Sequence, residues 1–283
     1  MEKQVKRIEM TDPGFLVTTA DKETFTAGSV ILACGGKASA IRGSRGDGYY
    51  LASCLGHEIA EPVPALVQLH AADPLVKMAA GVRADAGITT WIDDKKTAFW
   101  QGELQITDYG LSGIVVFQSS RLAAYGLLEK KDVCLEVDFL PEYAKTEAEE
   151  LLQRRLQMRE GNLTLEQSLH GLLHDKLIAP ILKRAGLSAE KLAGDCDKED
   201  VTCLLAALRH YVVKITDTHG FSNAQVTAGG VKTDRIDPKT MESELVPGLF
   251  FAGEVLDVDG ICGGYNLQWA WSSGHVAGSK VGS

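Results

Sequence analysis

The stretch Gly248-Leu-Phe-Phe-Ala-Gly-Glu-Val-Leu-Asp257, followed by Gly260-Ile-Cys-Gly-Gly-Tyr-Asn-Leu-Gln-Trp-Ala270, decides how this chain is read. A short apolar run that stops at a glycine predicts a buried, parallel-type strand. The glycines that follow predict a tight turn, and the residues from about Asn266 to Gln268 predict the start of a helix. Gly263 and Gly264 lack side chains, so backbone there can approach another group closely. A helix start carries free N–H groups and the positive end of the helix dipole, which hold electron-rich groups. Glu254, just past the strand end, is placed to accept a hydrogen bond from a hydroxyl. The same pattern also fits a strand–helix corner that binds nothing.

Outward from this stretch, Ser29-Val-Ile-Leu-Ala-Cys-Gly-Gly36 repeats the apolar run that ends in glycines. Before it, residues 4–26 alternate with period two around the turn signal Asp12-Pro13-Gly14, which predicts a β-hairpin. Asp47 to Leu55 has helical spacing with Gly56 as a stop. Residues 66–106 carry short β-like runs, 114–128 read as a helix, and Val133 to Phe139 as a strand. From Thr146 to His210 the apolar spacing of three and four predicts helices throughout. Strand character returns at Tyr211–Ile215 and Ala224–Thr227, and Gln268 to Gly278 closes the chain as a small-residue helix. The two ends are therefore α/β while the middle is first β and then α, the pattern of insertions into an outer α/β domain.

Composition narrows the class. The chain has 283 residues, 45% hydrophobic and 24% charged, as in a globular protein with a sizeable core. Its formal net charge of −9 argues against general nucleic-acid binding. No apolar stretch approaches the roughly 18 residues of a membrane span, and the start MEKQVKRIEM lacks the apolar region of a signal peptide. The six cysteines, Cys34, Cys54, Cys134, Cys196, Cys203 and Cys262, form no CxxC pair, which predicts reduced cytoplasmic thiols.

The motifs as a set resemble the BaiN-like (YhiN-like) family of NAD(P)/FAD-dependent oxidoreductases. The resemblance is carried by Ala228-Gly-Gly-Val231, Thr240-Met-Glu-Ser243, Gly253-Glu-Val-Leu-Asp257, Gly263-Gly-Tyr-Asn266 and Gln268-Trp-Ala-Trp-Ser-Ser-Gly274. Ile31-Leu-Ala-Cys-Gly-Gly36, Gly46-Asp-Gly-Tyr49, Gly56-His57, Pro64-Ala-Leu-Val67, Gly102-Glu-Leu104 and Gly110-Leu-Ser-Gly113 extend it over nearly the whole chain. It implies an FAD cofactor, NAD(P)H as a reductant, and a small-molecule substrate, in activities from amine oxidation to reduction of steroid-like enones. It also implies an α/β, Rossmann-like FAD-binding domain from residues 1–62 and 227–283. A β-barrel-like domain (63–142 and 211–226) would be inserted in it, with a helical domain (143–210) nested inside the barrel. Gly35, Gly36, Gly253, Glu254, Asp257, Gly263, Gly264, Tyr265, Asn266 and Gln268 are the expected cofactor contacts. The helix start would face N1 and the C2 carbonyl of an isoalloxazine, and Glu254 a ribityl or ribose hydroxyl.

Three departures qualify this. The family's usual His is Asp108 here and its usual Pro is Ile114, so a proton-transfer role for that loop has no support. The sequence given also holds no strand–GxGxxG–helix unit with an acidic residue about 20 residues on, the part that grips the adenosine and pyrophosphate. The expectation is an incomplete, C-terminal part of a flavoenzyme, weak in FAD and in turnover, with an uncovered sheet edge that favours a homodimer. The alternative is a cofactor-free or partner-binding module.

Weaker signals point elsewhere. His170 and His174 stand four apart on an expected helix, but Gly171-Leu-Leu between them lacks the Glu of a metalloprotease helix, so no metal site is expected. Cys34 is read as a small buried residue and Cys262 as a thiol in the cofactor loop. Arg154, Arg155 and Arg159 follow Glu147, Glu149 and Glu150 and read as a solvated, paired helix face. No catalytic residue is named, because a flavin itself moves the hydride while the protein orients it.

Overall fold

The structure, a computed structural model, describes residues 3–39, 44–157 and 162–281. The chain divides into two compact units, residues 1–66 with 220–283, and residues 67–219.

The first unit opens with β1 (Val5–Thr11), β2 (Gly14–Thr19) and β3 (Thr24–Ala27), an antiparallel meander in that order. The expected hairpin thus gains a third strand. Gly14 has φ +89, and a Cβ there would lie 2.3 Å from the Ala27 carbonyl oxygen, so only glycine fits this turn. Next come β4 (Val30–Leu32), α1 (Asp47–Cys54) and β5 (Ile59–Ala65).

The second unit runs through β6 (Leu69–Ala71), α2 (Pro74–Met78), β7 (Arg83–Ile92), β8 (Lys95–Ile106) and β9 (Gly110–Ser112). It continues with α3 (Ile114–Leu128), β10 (Val133–Asp138), α4 (Lys145–Leu156), α5 (Leu165–Leu169), α6 (Asp175–Ala185), α7 (Lys198–Arg209) and β11 (Tyr211–Thr218). Its strands close into a six-stranded barrel in the order β10-β11-β6-β9-β8-β7. Closure removes free edges from the sheet. A Cβ on Gly110 would lie 1.9 Å from the Leu69 carbonyl oxygen, so β9 can close the barrel against β6 only because residue 110 is glycine. Barrel and helices share one core. Ile88, Leu104, Leu135 and Val213 from the strands and Leu152, Leu165, Ile181 and Leu204 from the helices belong to the same buried cluster.

The chain then returns to the first unit with β12 (Val226–Val231), β13 (Leu249–Phe251) and α8 (Tyr265–Lys280). β13 pairs with β4 in parallel, Phe251 opposite Leu32, so the two chain ends share a sheet as the sequence suggested. β12 pairs with β5 antiparallel and shifts register between Ala228 and Gly230. A second core of Phe15, Leu32, Leu51, Leu249, Phe251, Val255 and Ala277 binds these elements. His57 is 4% exposed within this unit. Its Nε2 lies 2.8 Å from Ser243 Oγ, which itself accepts the amides of Leu245 and Val246. The Ser243 hydroxyl therefore donates to His57, and burial holds the imidazole pKa below its ordinary value.

Several sequence expectations need correction. The region from Thr146 to His210 is not helical throughout; Leu172 and Leu173 lie in the turn between α5 and α6. His170 and His174 are not on one helix, since His170 follows α5 and His174 precedes α6. His170 instead bonds Asp175 at 2.7 Å. Arg155 leaves the expected row of Glu partners and donates to the carbonyls of Ser168 and His170; Arg159 lies outside the described residues. Cys34 is exposed as a residue, although its sulfur packs where a Cβ on Gly48 would stand. None of the six cysteines takes part in a disulfide.

Candidate functional site

Parallel pairing places the ends of β4 and β13 side by side. The Ala252 amide donates to the Leu32 carbonyl at 3.0 Å, so the chain leaves both strands at the same level. Gly35 (φ +73) and Gly36 follow one strand and Gly253 (φ +75) and Glu254 the other. The carboxyl ends of parallel strands are where α/β sheets bind ligands, because backbone turns outward there toward helix starts.

Gly253 is clamped to α8 at two points. Its amide donates to Ser273 Oγ at 2.9 Å, and Trp269 Nε1 donates to its carbonyl at 3.2 Å. The strand end and the helix are thereby fixed relative to each other. α8 starts at Tyr265, one to three residues earlier than the sequence suggested, with Gly264 as its N-cap at φ +89 and no capping side chain. Its first amides are free of any side-chain acceptor, and a Cβ on Gly264 would meet no atom within 4 Å. The turn leading in is pinned by Asn266, whose Oδ1 accepts the Gly260 amide at 2.8 Å and whose Nδ2 donates to the Gly260 carbonyl at 3.0 Å. Asn266 thus shapes the turn. Gln268 Nε2 donates to Ser272 along the helix, and Tyr265 stands 58% exposed beside the turn. Asp257 is half-buried, its amide held by the Val231 carbonyl next to β12.

Beneath the glycines lies a polar hub that sequence reading missed. Thr227 on β12 accepts the amides of Lys37 and Ala38 on its Oγ1, at 2.8 and 2.9 Å. Its own amide donates to Glu254 Oε1 at 2.7 Å. Burial pushes the Glu254 carboxyl pKa up, with the bonds from Thr227 opposing it. Tyr49 of α1 points its hydroxyl into the same neighbourhood, buried and without a hydrogen-bond partner of ordinary geometry. Burial first, then the Glu254 charge, raises its pKa, while nearby Thr227 pulls the other way. A groove of about 1210 Å³ runs along β4 past Cys34 and Gly48, but the Gly253–Gln268 segment does not line it. Burial raises the thiol pKa of both Cys34 and Cys262, which disfavours the reactive thiolate.

These features fit a flat, electron-rich ring with a hydroxylated chain. An uncapped sixteen-residue helix start and an open glycine cradle would receive the ring edge. A buried carboxylate and an orphaned phenol would receive hydroxyls. Among the described residues no group of three or more His, Cys, Asp and Glu could hold a metal ion. No helix there is long and apolar enough to cross a membrane.

The second unit carries a separate cluster. His70 Nε2 lies 2.7 Å from His219 Nδ1, and the Tyr109 ring stacks on His219 at 4.4 Å and 7°. One of the two facing nitrogens must carry the hydrogen. Nothing local in the sequence signals this, since the two histidines are 149 residues apart.

The model of the HI0933-like protein Rossmann domain matches residues 1–280. A 3-dehydro-bile acid delta(4,6)-reductase of Clostridium scindens is 43% identical over 97% of this chain and 67% of its own length. Ribosomal RNA dihydrouridine synthases of Haemophilus influenzae and Escherichia coli are each 30% identical, over 98% and 96% of this chain and 66% and 65% of theirs. The chain thus spans about two thirds of the length of these relatives. With a match that runs from the first meander to the end of α8, the chain belongs to the HI0933-like Rossmann family, in its BaiN-like group of oxidoreductases.

Proposed function

We propose that this chain forms the ring-binding and substrate part of an FAD-dependent oxidoreductase that moves a hydride between NAD(P)H and a small organic substrate. The observation that carries the reading is the uncapped start of α8 behind the open Gly263–Gly264 turn, set beside Glu254 at the ends of two parallel strands. When bound, FAD would supply hydride transfer through its isoalloxazine. Gly35, Gly36, Gly263 and Gly264 would let backbone reach the ring, and the α8 amides would stabilise negative charge at its N1 and C2 carbonyl edge. Glu254 would orient the ribityl chain. The 43% identical bile-acid reductase makes an enone the first substrate class to test. A reduction of that kind needs a proton as well as a hydride.

The proposed contacts reach the ring and the ribityl chain, so this chain should hold free FAD weakly. A second reading, a module without cofactor, draws on the Asn266–Gly260 bonds, which close the strand–helix corner without any ligand. Titration with FAD, followed by quenching of flavin fluorescence, separates the two. Saturable quenching that Gly264→Val abolishes supports the flavoenzyme. No quenching at any FAD concentration, or quenching untouched by Gly264→Val, supports the module.

A further inference from the structure

We infer that the free edge of β1 is a self-complementary docking strand through which two copies of this chain form a twofold dimer. β1 is an outer strand of the meander, paired with β2 on one side only. An edge strand presents unpaired amides and carbonyls to any strand of matching register. A twofold axis across an edge always pairs a strand antiparallel to its own copy, which continues the meander's pattern.

The sequence of β1 selects one register. Val-Lys-Arg-Ile-Glu-Met-Thr carries opposite charges one residue to either side of Ile8. With Ile8 opposite Ile8 of the second copy, Arg7 faces Glu9 and Glu9 faces Arg7, within the stretch Arg7–Thr11 where β1 is regular; the register to β2 shifts between Val5 and Arg7. Opposite charges directly across a strand pair are favourable, and like charges are not. Centring the axis on Arg7 or Glu9 sets like charges face to face, and a slip of one residue sends Ile8 to the wrong face. Arg7 and Glu9 stand on one face and already touch at 2.8 Å within the chain, with side chains 68% and 37% exposed, so the dimer would assemble an alternating four-charge row.

The opposite face offers the apolar half. Ile8 is buried, but Met10 beyond it is 62% exposed and Tyr50 on α1 is 66% exposed. Beside them a groove of about 600 Å³ is lined by residues 6–10 of β1, the charged pair included, and by Tyr50, Leu51, Cys54 and Leu55. The other outer strand, β3, has four residues and no charge.

Sedimentation equilibrium over a range of protein concentrations tests this on the chain as it stands. The expected result is a monomer–dimer equilibrium that weakens as ionic strength rises. Arg7→Glu and Glu9→Arg should each weaken the dimer about tenfold or more, since each converts two attractive pairs into repulsive ones. The double swap R7E/E9R should restore it. Circular dichroism checks that these exposed changes leave the fold intact, and the salt series on the unaltered chain stands even if one variant fails to fold. A monomer at every concentration, a dimer indifferent to both single swaps, or a double swap that stays as weak as the singles would overturn the inference.

Discussion

Gly36→Ala gives the sharpest mutational test of how the candidate site is built. A Cβ at residue 36 would lie 2.4 Å from both Glu254 Oε1 and Thr227 Oγ1, far inside contact distance. One or both groups must move. Thr227 Oγ1 holds the amides of Lys37 and Ala38, and Glu254 holds the Thr227 amide. Neutral bonds of this kind contribute about 1 kcal/mol each and a bond to a carboxylate about 2. Forcing a methyl into filled space costs about 1–3 kcal/mol more. Breaking part of the hub and straining the rest should therefore cost about 3–4 kcal/mol, which at about 2 kcal/mol per M of urea lowers the first unit's midpoint by about 1–2 M. Gly28→Ala is the control, because a Cβ there meets nothing within 4 Å. Urea unfolding followed by circular dichroism reads both variants. A Gly36→Ala midpoint that matches the Gly28→Ala control would refute the hub.

Other perturbations follow from the same geometry. His57 has a folded-state pKa below its ordinary 6.5, so protonation favours the unfolded chain. Its contribution to stability is complete above 6.5 and is lost as pH falls through 6.5 toward the depressed value; melting temperatures across that window should drop, and His57→Gln should flatten the drop. Gly110→Ala drives a Cβ to 1.9 Å from the Leu69 carbonyl and should open the barrel, seen as lost strand signal or insoluble protein; a soluble variant with unchanged melting would count against the close approach. His70→Phe keeps a ring against Tyr109 but removes the bond to His219, and should cost about 1 kcal/mol in the second unit. An unchanged melting temperature would mean the bond contributes nothing.

Much of the fold was legible because its signals are local. Apolar runs ending in glycine at Gly35 and Gly253 mark two short strands that pair in parallel; β13 is buried as read, whereas in β4 Ile31 is exposed. The turn at Gly14 and the helix after Gly264 were legible for the same reason. What was missed depends on distance along the chain. Thr227 meets Lys37 across 190 residues, and no local pattern marks it as a hub. The double glycine at Gly229 and Gly230 was legible as a motif, but its physical reason is tertiary. A Cβ on Gly229 would strike the Glu61 carbonyl at 2.6 Å and one on Gly230 the Val255 carbonyl at 2.7 Å. Leu172 and Leu173 kept the helical spacing yet fall in a turn, because a shared core orders apolar residues whether or not the backbone is helical. Asn266 and Gln268 were read as cofactor contacts from type and spacing, whereas their side chains bond Gly260 and Ser272. Asn266 is left with its backbone amide to offer a ligand, whereas the Gln268 amide is taken by the Gly264 carbonyl.

The central claim, that a flavin ring rests on the start of α8, is tested most directly by amide chemical shifts. Riboflavin, which carries the ring and ribityl chain alone, is titrated into isotope-labelled protein and the perturbed amides are mapped. The account predicts saturable shifts concentrated at Gly35, Gly36, Glu254 and Gly263 to Gln268, and their loss in Gly264→Val. Saturable shifts that fall elsewhere, or no shifts in the unaltered chain, would contradict it.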